Sequence, residues 1–294
     1  MSPERLISPE KRTKTSPFPY IGITGFTSPE DVEEFTQKLS ALKKSGELKG
    51  DPVIALGVLA SRKTIMGGEI DPRWASQFPP SIEQLVATIS SINDRTAVCN
   101  KENNINVISS LHLVYYKNWK KKENQKIFRK MIERMAENHL APNLIQVDSV
   151  WPPPRIINSL RNSFPNSRII LQLGSKAIKE AGLPLGPSER LRSYNVDCVL
   201  LDPSSGTGQS FNPNWAINLI ESIRESPVAI AIAGGLGPNQ EDIRSLNMLI
   251  SSGISNIGVD AQGKLMDPNT HRLDPNRAID YVRRTAPLIF KQEN

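Results

Sequence analysis

Short apolar runs alternate with helix-forming segments along nearly the whole chain. The alternation repeats eight times, and most runs are followed by a helix start signal or by apolar residues at 3.6-residue spacing. Eight strands that are each followed by a helix predict an α/β protein with a closed parallel (β/α)8 barrel, the TIM-barrel architecture. The predicted strands are Tyr20–Thr24, Val53–Leu59, Leu111–Tyr116, Leu144–Asp148, Ile169–Leu173, Cys198–Leu201, Val228–Ala233 and Ile257–Asp260.

The main alternative to a barrel is an open, doubly wound sheet. Such a sheet has a glycine-rich phosphate loop directly after its first strand, and the segment Thr24–Thr27 does not have that form. The length of 294 residues suits one large barrel. We therefore expect a flexible polar arm at residues 1–18 and a single barrel domain at residues 19–294.

Composition argues against several classes of protein. The segment Met1–Ser16 is polar and has no apolar core, so it does not resemble a secretory signal. No stretch approaches the roughly 18 apolar residues that a membrane span requires. The two cysteines, Cys99 and Cys198, have no second cysteine or histidine at metal-ligand spacing. We expect a cytoplasmic protein without a membrane span, a disulfide or a metal site.

The formal charge of +6 raises the question of a nucleic-acid partner. The densest basic run is Lys117–Lys130. It continues through Phe128, Met131, Ile132 and Met135, which is the spacing of a helix with one buried face. The lysines then belong to the solvated face of an amphipathic helix, so nucleic acid is not the expected partner.

An apolar run from Cys198 ends at Asp202 and passes directly into a loop that contains Gly206 and Gly208. A carboxylate at the end of a buried strand is costly unless it faces a cavity or a partner. Asp202 is therefore a candidate acid or base. The alternative is an aspartate that only caps its loop.

Catalytic residues of such barrels lie at the carboxyl ends of the strands. Glycines after the last two strands let the backbone approach an anion, and a phosphate site is common there. A tight strand-to-helix turn is the alternative explanation of these glycines. The residues that the predicted strands bring to this end are Thr24, Arg62, Lys63, Asp148, Asp202, Gly234, Gly235, Asp260, Gln262 and Gly263.

Several short segments, in the same order along the chain, resemble signatures of the phosphoribosylanthranilate isomerase family. Ile23–Asp31 is similar to its opening Ile-Cys-Gly-Ile-Thr-x-x-Glu-Asp. Leu200–Asp202 and Gly206–Phe211 resemble its Leu-Leu-Asp and Gly-Ser/Thr-Gly-Lys-Thr-Phe. Ala233–Pro238 resembles its Ala-Gly-Gly-Leu-x-Pro, and Gly258–Gly263 is similar to its Val-Asp-x-x-Ser-Gly.

The resemblance implies an enzyme of tryptophan biosynthesis that isomerises N-(5-phosphoribosyl)anthranilate by an Amadori rearrangement, with no metal or organic cofactor. In the family, the aspartate that ends the sixth strand is the general acid, and Asp202 stands at that position. A cysteine at the end of the first strand is the general base, but this chain has Thr24 there. Gln262 stands in the phosphate loop where the family has a serine, and Asp148 stands where it has a histidine.

A threonine hydroxyl is a poor base unless another group activates it. For an isomerase, we therefore expect Asp148 and Asp202 to form the acid/base pair. Asp202 is expected to have the raised pKa of an acid, and Asp148 is expected to stay ionised in a more polar setting. The resemblance also implies a basic residue that faces the substrate carboxylate. Arg62 and Lys63 are the candidates, and Arg62 fits better because its fork binds a carboxylate with two hydrogen bonds.

A second class of function stays open at this point. A barrel could bind a phosphorylated ligand after losing the isomerase reaction or while catalysing another one, with Asp148 capping the turn before Pro152. In both hypotheses the expected partner is a small sugar phosphate. The sequence predicts no oligomeric state.

Overall fold

Eight parallel strands pair in sequence order, and the last strand pairs with the first, so the sheet closes into a barrel. The computed structural model describes residues 18–182, 186–202, 211–223, 226 and 228–290. The predicted fold class is confirmed. The strands are β1 (Ile21–Thr24), β2 (Val53–Ser61), β3 (Asn106–Val114), β4 (Leu144–Asp148), β5 (Arg168–Gly174), β6 (Cys198–Asp202), β7 (Ala229–Ile232) and β8 (Gly258–Ala261).

Helices connect the strands and pack around the outside of the barrel. Within the described ranges they are α1 (Pro29–Lys44), α2 (Arg62–Met66), α3 (Ile82–Asn103), α4 (Lys122–Glu137), α5 (Pro154–Ser163), α6 (Ser175–Ala181), α7 (Gly186–Leu191), α8 (Pro213–Ile223), α9 (Gln240–Ser251) and α10 (Pro275–Ile289). Single 3-10 turns occur at Ala75–Gln77 and Gly263–Leu265. None of the helices in these ranges is long and apolar enough to cross a membrane.

Helix α1 begins where the sequence predicts. The Ser28 side chain accepts a hydrogen bond from the Asp31 backbone N–H at 3.3 Å, and the Asp31 carboxylate accepts one from the Ser28 N–H at 3.1 Å. This reciprocal capping box satisfies backbone donors that have no partner inside the helix, and Pro29 fits the first helical position. The helix then buries Phe35 and Leu39 against the barrel.

The basic segment forms the predicted amphipathic helix. Helix α4 buries Phe128, Met131, Ile132 and Met135 on one face. Lys126 lies on the exposed face. The predicted helix spacing is therefore confirmed, and the lysines solvate the outside of a packed helix.

Strand β3 occupies Asn106–Val114 rather than the predicted Leu111–Tyr116. Its serines suggest a loop in the sequence, but Ser109 is buried and its hydroxyl donates to Asn93 Oδ1 on α3 at 2.7 Å. Because a paired hydroxyl can be buried at little cost, the strand extends through this position. The earlier end of β3 leaves Tyr116 in the loop that follows the strand.

Helix α2 follows β2 directly. Its start is a second capping box, in which the Ser61 hydroxyl accepts from the Thr64 N–H at 3.3 Å and Thr64 Oγ1 accepts from the Ser61 N–H at 3.2 Å. The buried Ile65 side chain then packs this short helix against the barrel. The signal was present in the sequence as a serine followed three residues later by a threonine.

The interior of the barrel has an apolar floor and a polar upper layer. Inward-facing residues alternate along each strand, and on most strands they change from apolar to polar toward the carboxyl end. On β3, Ile108 belongs to the floor, and Ser110 and His112 follow at every second position. The floor consists of Tyr20, Ala55, Ile108, Leu144, Ile170, Cys198, Leu200, Ala231 and Ala233. The buried polar layer consists of Thr24, Ser110, His112, Gln146, Gln172, Asp202 and Asp260.

Gly57 on β2 leaves room for this polar layer. A Cβ at this position would collide with Thr24 Oγ1 and would lie 3.0 Å from His112 Nε2. We expect Gly57→Ala to lower the free energy of unfolding by about 1–3 kcal/mol, as over-packing does in other cores. Chemical denaturation measures the change. Gly263→Ala is the control, because its Cβ would meet no atom within 4 Å, and equal losses in the two variants would contradict this explanation.

Candidate active site

The barrel brings the three predicted catalytic residues to the end where its strands finish. Thr24 ends β1, Asp148 ends β4 and Asp202 ends β6. Asp260, which the sequence predicts at the phosphate, lies within β8 and points into the barrel beside Thr24. The mouth of the barrel is therefore lined by carboxylates from three strands.

Thr24 belongs to a buried cluster of polar side chains. Its hydroxyl donates a hydrogen bond to Asp260 Oδ1 at 3.0 Å and contacts the His112 ring at 3.5 Å. His112 Nε2 in turn lies 3.0 Å from Ser110 Oγ. Gly22, on the strand beside Asp260, leaves the space that this carboxylate occupies. Strand closure thus joins β1, β3 and β8 through one set of contacts.

Burial is the main influence on the charges of this cluster. It raises the pKa of Asp260 to about 7, the hydrogen bond from Thr24 opposes the rise, and the charge of Asp202 adds to it. Burial also lowers the pKa of His112 to about 3, so the ring is neutral at pH 7. The 3.9 Å contact between His112 Nε2 and Asp260 Oδ2 is therefore not an ion pair. Thr24 is a hydrogen-bond donor here, which does not prepare it to act as a base.

A chain of amides leads from the barrel interior to Asp202. Gln146 Nε2 donates to Gln172 Oε1 at 2.8 Å, and Gln172 Nε2 donates to Asp202 Oδ2 at 2.9 Å. The chain fixes the orientation of the Asp202 carboxylate at the end of a buried strand. At its other end, Gln146 Oε1 is a buried acceptor with no partner among the described residues.

Asp148 is partly buried, and its Oδ1 accepts a hydrogen bond from the Tyr116 hydroxyl. Burial raises the pKa of Asp148 to about 6, the hydrogen bond from Tyr116 opposes this rise, and the charge of Asp202 adds to it. The sequence predicts a more polar setting for Asp148, whereas burial is the largest influence on its pKa in the structure. The carboxylate is still ionised above pH 6, and it is a stronger base than an exposed aspartate.

Arg62 and Lys63 follow β2 directly and form the first turn of α2, where both side chains are exposed. Burial raises the pKa of Tyr115, and Arg62 is close enough for its charge to oppose that rise. The two cations therefore stand at the rim beside β2 and β3. They lie apart from the buried polar layer, at a position that a ligand in the mouth could reach.

The loop after β7 contains the predicted anion-binding glycines. Gly234 and Gly235 have φ angles of 90° and 77°, a backbone conformation that only glycine adopts at little cost. The Lys264 side chain, after β8, packs against the same loop at Gly237. Its Nζ donates to the buried Asp242 at 2.6 Å. The loops after β7 and β8 are thus tied together at the mouth.

Gln262 and Gly263 follow β8, as the sequence predicts. The Gln262 side chain turns away from the β7 loop, because its Nε2 donates to Gln77 Oε1 at 3.2 Å. Gly263 begins a 3-10 turn and has open space at its Cβ position. Gly206 and Gly208, which the sequence also predicts at the mouth, lie outside the residues that the structure describes.

Sequence reasoning missed four residues of the site: His112, Gln146, Gln172 and Tyr116. Three of them are polar residues at inward positions of strands, and a search for polar residues at every second strand position finds His112 and Gln146. Tyr116 was missed because it was assigned to the strand. Across the described ranges, no group of three or more histidine, cysteine, aspartate or glutamate side chains could hold a metal ion.

Comparison with known proteins identifies the architecture. No protein-family model and no curated protein matches the sequence. Among solved structures, phosphoribosyl anthranilate isomerase from Thermus thermophilus is similar with a TM-score of 0.54 and 15% identity, over 92% of this chain and 99% of that one. The chain is a TIM barrel.

Barrels with other names are similar to the same degree. A Rubisco-like protein from Rhodopseudomonas palustris gives a TM-score of 0.54 and 11% identity, over 94% of this chain and 66% of that one. Orotidine 5'-monophosphate decarboxylase from Methanocaldococcus jannaschii gives 0.51 and 10%, over 93% of this chain and 100% of that one. At these identities the likeness shows the fold alone, and this fold supports many chemistries.

The buried Asp260 makes stability depend on pH. Folding raises the pKa of Asp260 from 3.8 to about 7. Its contribution to the free energy of unfolding is therefore fully present below about pH 4 and is lost as the pH rises through 7. Asp260→Asn keeps an acceptor for Thr24 and removes the titration. Between pH 5 and pH 8, we expect the wild-type protein to lose up to about 3 kcal/mol more unfolding free energy than the variant.

Denaturant titrations at both pH values measure this difference. Asp94→Asn, on the exposed side of α3, is the control and should keep the pH dependence of the wild type. If the unfolding free energies of Asp260→Asn and the wild type change equally between the two pH values, Asp260 does not titrate as described.

Proposed function

We propose that this barrel is an isomerase that carries out an Amadori-type rearrangement of a phosphorylated aminoribosyl compound. One observation carries the proposal: Asp148 and Asp202 end two strands at the same mouth, and the charge of Asp202 acts on Asp148. Two carboxylates in unequal surroundings can divide the roles of acid and base. The resemblance to phosphoribosylanthranilate isomerase suggests the substrate and a role in tryptophan biosynthesis in the cytoplasm.

The first step of the proposed reaction needs an acid. Asp202 donates a proton to the ring oxygen of the aminoribose, the bond between C1 and that oxygen breaks, and the nitrogen lone pair forms a C=N bond. The product of this step is an open-chain iminium ion. Gln172 supports the acid role of Asp202 by holding one carboxylate oxygen, so that the carboxyl group keeps a fixed direction during proton transfer.

The second step needs a base at C2. Asp148 removes the C2 proton, the electron pair of that bond forms a C1–C2 double bond, and the iminium nitrogen becomes a neutral amine. Tautomerisation of the resulting enol gives the 1-amino-2-ketose. A pKa of about 6 suits Asp148 for this role, because such a carboxylate is ionised at neutral pH and is more basic than an ordinary aspartate.

The ends of the substrate have candidate partners on either side of this pair. The glycine turn at Gly234 and Gly235 has no Cβ atoms that would hinder a phosphate, and Gly263 has open space at its Cβ position. Arg62 or Lys63, exposed after β2, would face the carboxylate of an aromatic amine. No cofactor enters the proposed reaction, since both steps are proton transfers.

A second hypothesis has one observation in its favour. Thr24, at the position of the family base, donates a hydrogen bond to Asp260 Oδ1 at 3.0 Å, so its hydroxyl is already engaged with another residue of the barrel. A barrel that binds a sugar phosphate without rearranging it would also tolerate this arrangement. Turnover of the family substrate separates the two hypotheses.

Asp148→Asn and Asp202→Asn should each lower turnover of N-(5-phosphoribosyl)anthranilate by a factor of about 10² or more. Binding of a product analogue should be retained, because both substitutions keep the size of the side chain. Single-turnover kinetics and calorimetric titration measure the two quantities. Asp94→Asn is the surface control, and full activity in Asp148→Asn would rule out the proposed base.

The anion site predicts a ligand effect on stability. Gly263→Asp would place a carboxylate in open space where the phosphate is proposed, without straining the backbone. Phosphate or ribose 5-phosphate should raise the melting temperature of the wild type, and this protection should be lost in Gly263→Asp through charge repulsion. Gly263→Asn, of equal size and no charge, should keep most of it. Equal protection in all three proteins would mean that the anion binds elsewhere.

A further inference from the structure

Tyr116 lies beside the proposed base and has no assigned role. It belongs to the loop after β3, and its ring is 60% exposed, which is unusual for so large an aromatic side chain. Its hydroxyl nevertheless donates to Asp148 Oδ1. The ring is exposed, but the hydroxyl is hydrogen-bonded to a carboxylate at the mouth. This suggests a function for the hydroxyl rather than for the ring.

The backbone next to Tyr116 is fixed to the end of β4. The Tyr115 N–H donates to the Asp148 carbonyl at 3.0 Å, and the Ser149 hydroxyl donates to the Tyr115 carbonyl at 2.7 Å. The buried Tyr115 ring packs against Trp119 and Phe128, with ring centroids 5.0 Å apart in each pair. Position 116 is therefore held at a fixed place relative to Asp148, so the side-chain bond requires little ordering of the loop.

The Tyr116 hydroxyl contacts Asp148, and it is close enough to Asp202 for that charge to influence it. Burial of the hydroxyl raises the pKa of Tyr116 above its ordinary value, and the charges of Asp148 and Asp202 raise it further. The phenol therefore keeps its proton throughout the range in which the carboxylates titrate. A donor that is always protonated favours the ionised form of the carboxylate that it contacts.

We propose that Tyr116 is the positioning residue of the proposed site, and that its hydroxyl holds Asp148 directed at the mouth and ionised despite the burial of this carboxylate. The groups that face Asp148 are Tyr116 from the β3 loop, Asp202 from β6 and the neutral Gln172, its register partner on β5. Arg62 on α2 acts on Tyr115 rather than on Asp148. This inference rests on the proposed function only where it treats Asp148 as the base.

A double-mutant cycle tests the contact without any assay of activity. Unfolding free energies are measured for the wild type, Tyr116→Phe, Asp148→Asn and the double variant, at pH 5 and at pH 8. The hydroxyl stabilises the ionised carboxylate, so the coupling should be present at pH 8 and weaker at pH 5, where Asp148 is mostly protonated. We expect the coupling to correspond to about tenfold in the unfolding equilibrium constant at pH 8.

Tyr115→Phe is the matched control. It removes a hydroxyl from the neighbouring tyrosine, but that hydroxyl donates to the Asn124 carbonyl at 2.8 Å and not to Asp148. Its cycle with Asp148→Asn should show no coupling that changes with pH. If the coupling in the Tyr116 cycle changes with pH as little as the coupling in the Tyr115 cycle, the positioning role is disproved.

Kinetics supply the second readout. In Tyr116→Phe the acidic limb of kcat/KM should move to higher pH by about one pH unit, because the ionised form of Asp148 loses its hydrogen-bond donor. Tyr115→Phe should leave the limb in place. An active enzyme whose pH profile is the same in Tyr116→Phe would overturn the inference. If the coupling is found but the wild type turns over no substrate, Tyr116 still holds Asp148, and it is the isomerase proposal that fails.

Discussion

Closure of eight parallel strands puts every second side chain into a space that water reaches only from the mouth. A polar group placed there is stabilised by a hydrogen-bond partner, since a buried unpaired donor or acceptor costs about 1–3 kcal/mol. In this protein two such partners come from neighbouring strands: Thr24 donates a hydrogen bond to Asp260, and Gln172 donates one to Asp202. Gly57 belongs to the same arrangement, because it leaves the space that the Thr24 and His112 side chains occupy.

The chemistry of the candidate site follows from the same exclusion of water. Burial is the largest influence on the pKa values of Asp148, Asp260 and His112, and it raises the first two and lowers the third. The hydrogen bonds from Thr24 and Tyr116 act against burial and keep two carboxylates within reach of ionisation. The ionisation of these carboxylates is thus a balance between desolvation by the barrel and hydrogen bonds from a small number of hydroxyl groups.

Local patterns were sufficient to predict the barrel, because strands, helices and caps depend on residues close together in the chain. The Ser28 cap, the buried face of α4 and the position of Asp202 at a strand end are of this kind. The contacts that define the site are not local. Thr24 and Asp260 are 236 residues apart in the sequence and meet only because β1 pairs with β8. No pattern within either segment indicates the other.

The surroundings of Asp148 illustrate a second limit of prediction from the sequence. Its neighbours come from the loop after β3 and from β6, so the polarity of its own loop says little about how well it is solvated. Tyr116 could not be identified from the sequence for a simpler reason. Strand ends are the least certain part of a sequence-based assignment, and a shift of the end of β3 decides whether this hydroxyl belongs to a strand or to the mouth.

Desolvated carboxylates also affect how this protein would respond to selection. At neutral pH, an ionised Asp148 or Asp260 makes the folded state less stable than a neutral side chain of the same size would. A laboratory search for heat-resistant variants that does not also assay the reaction would therefore favour replacements at these two positions early. The variants selected in this way would be more stable barrels with fewer charged groups at the mouth. High stability of the fold and the proposed proton transfer are therefore opposing demands on the same two carboxylates.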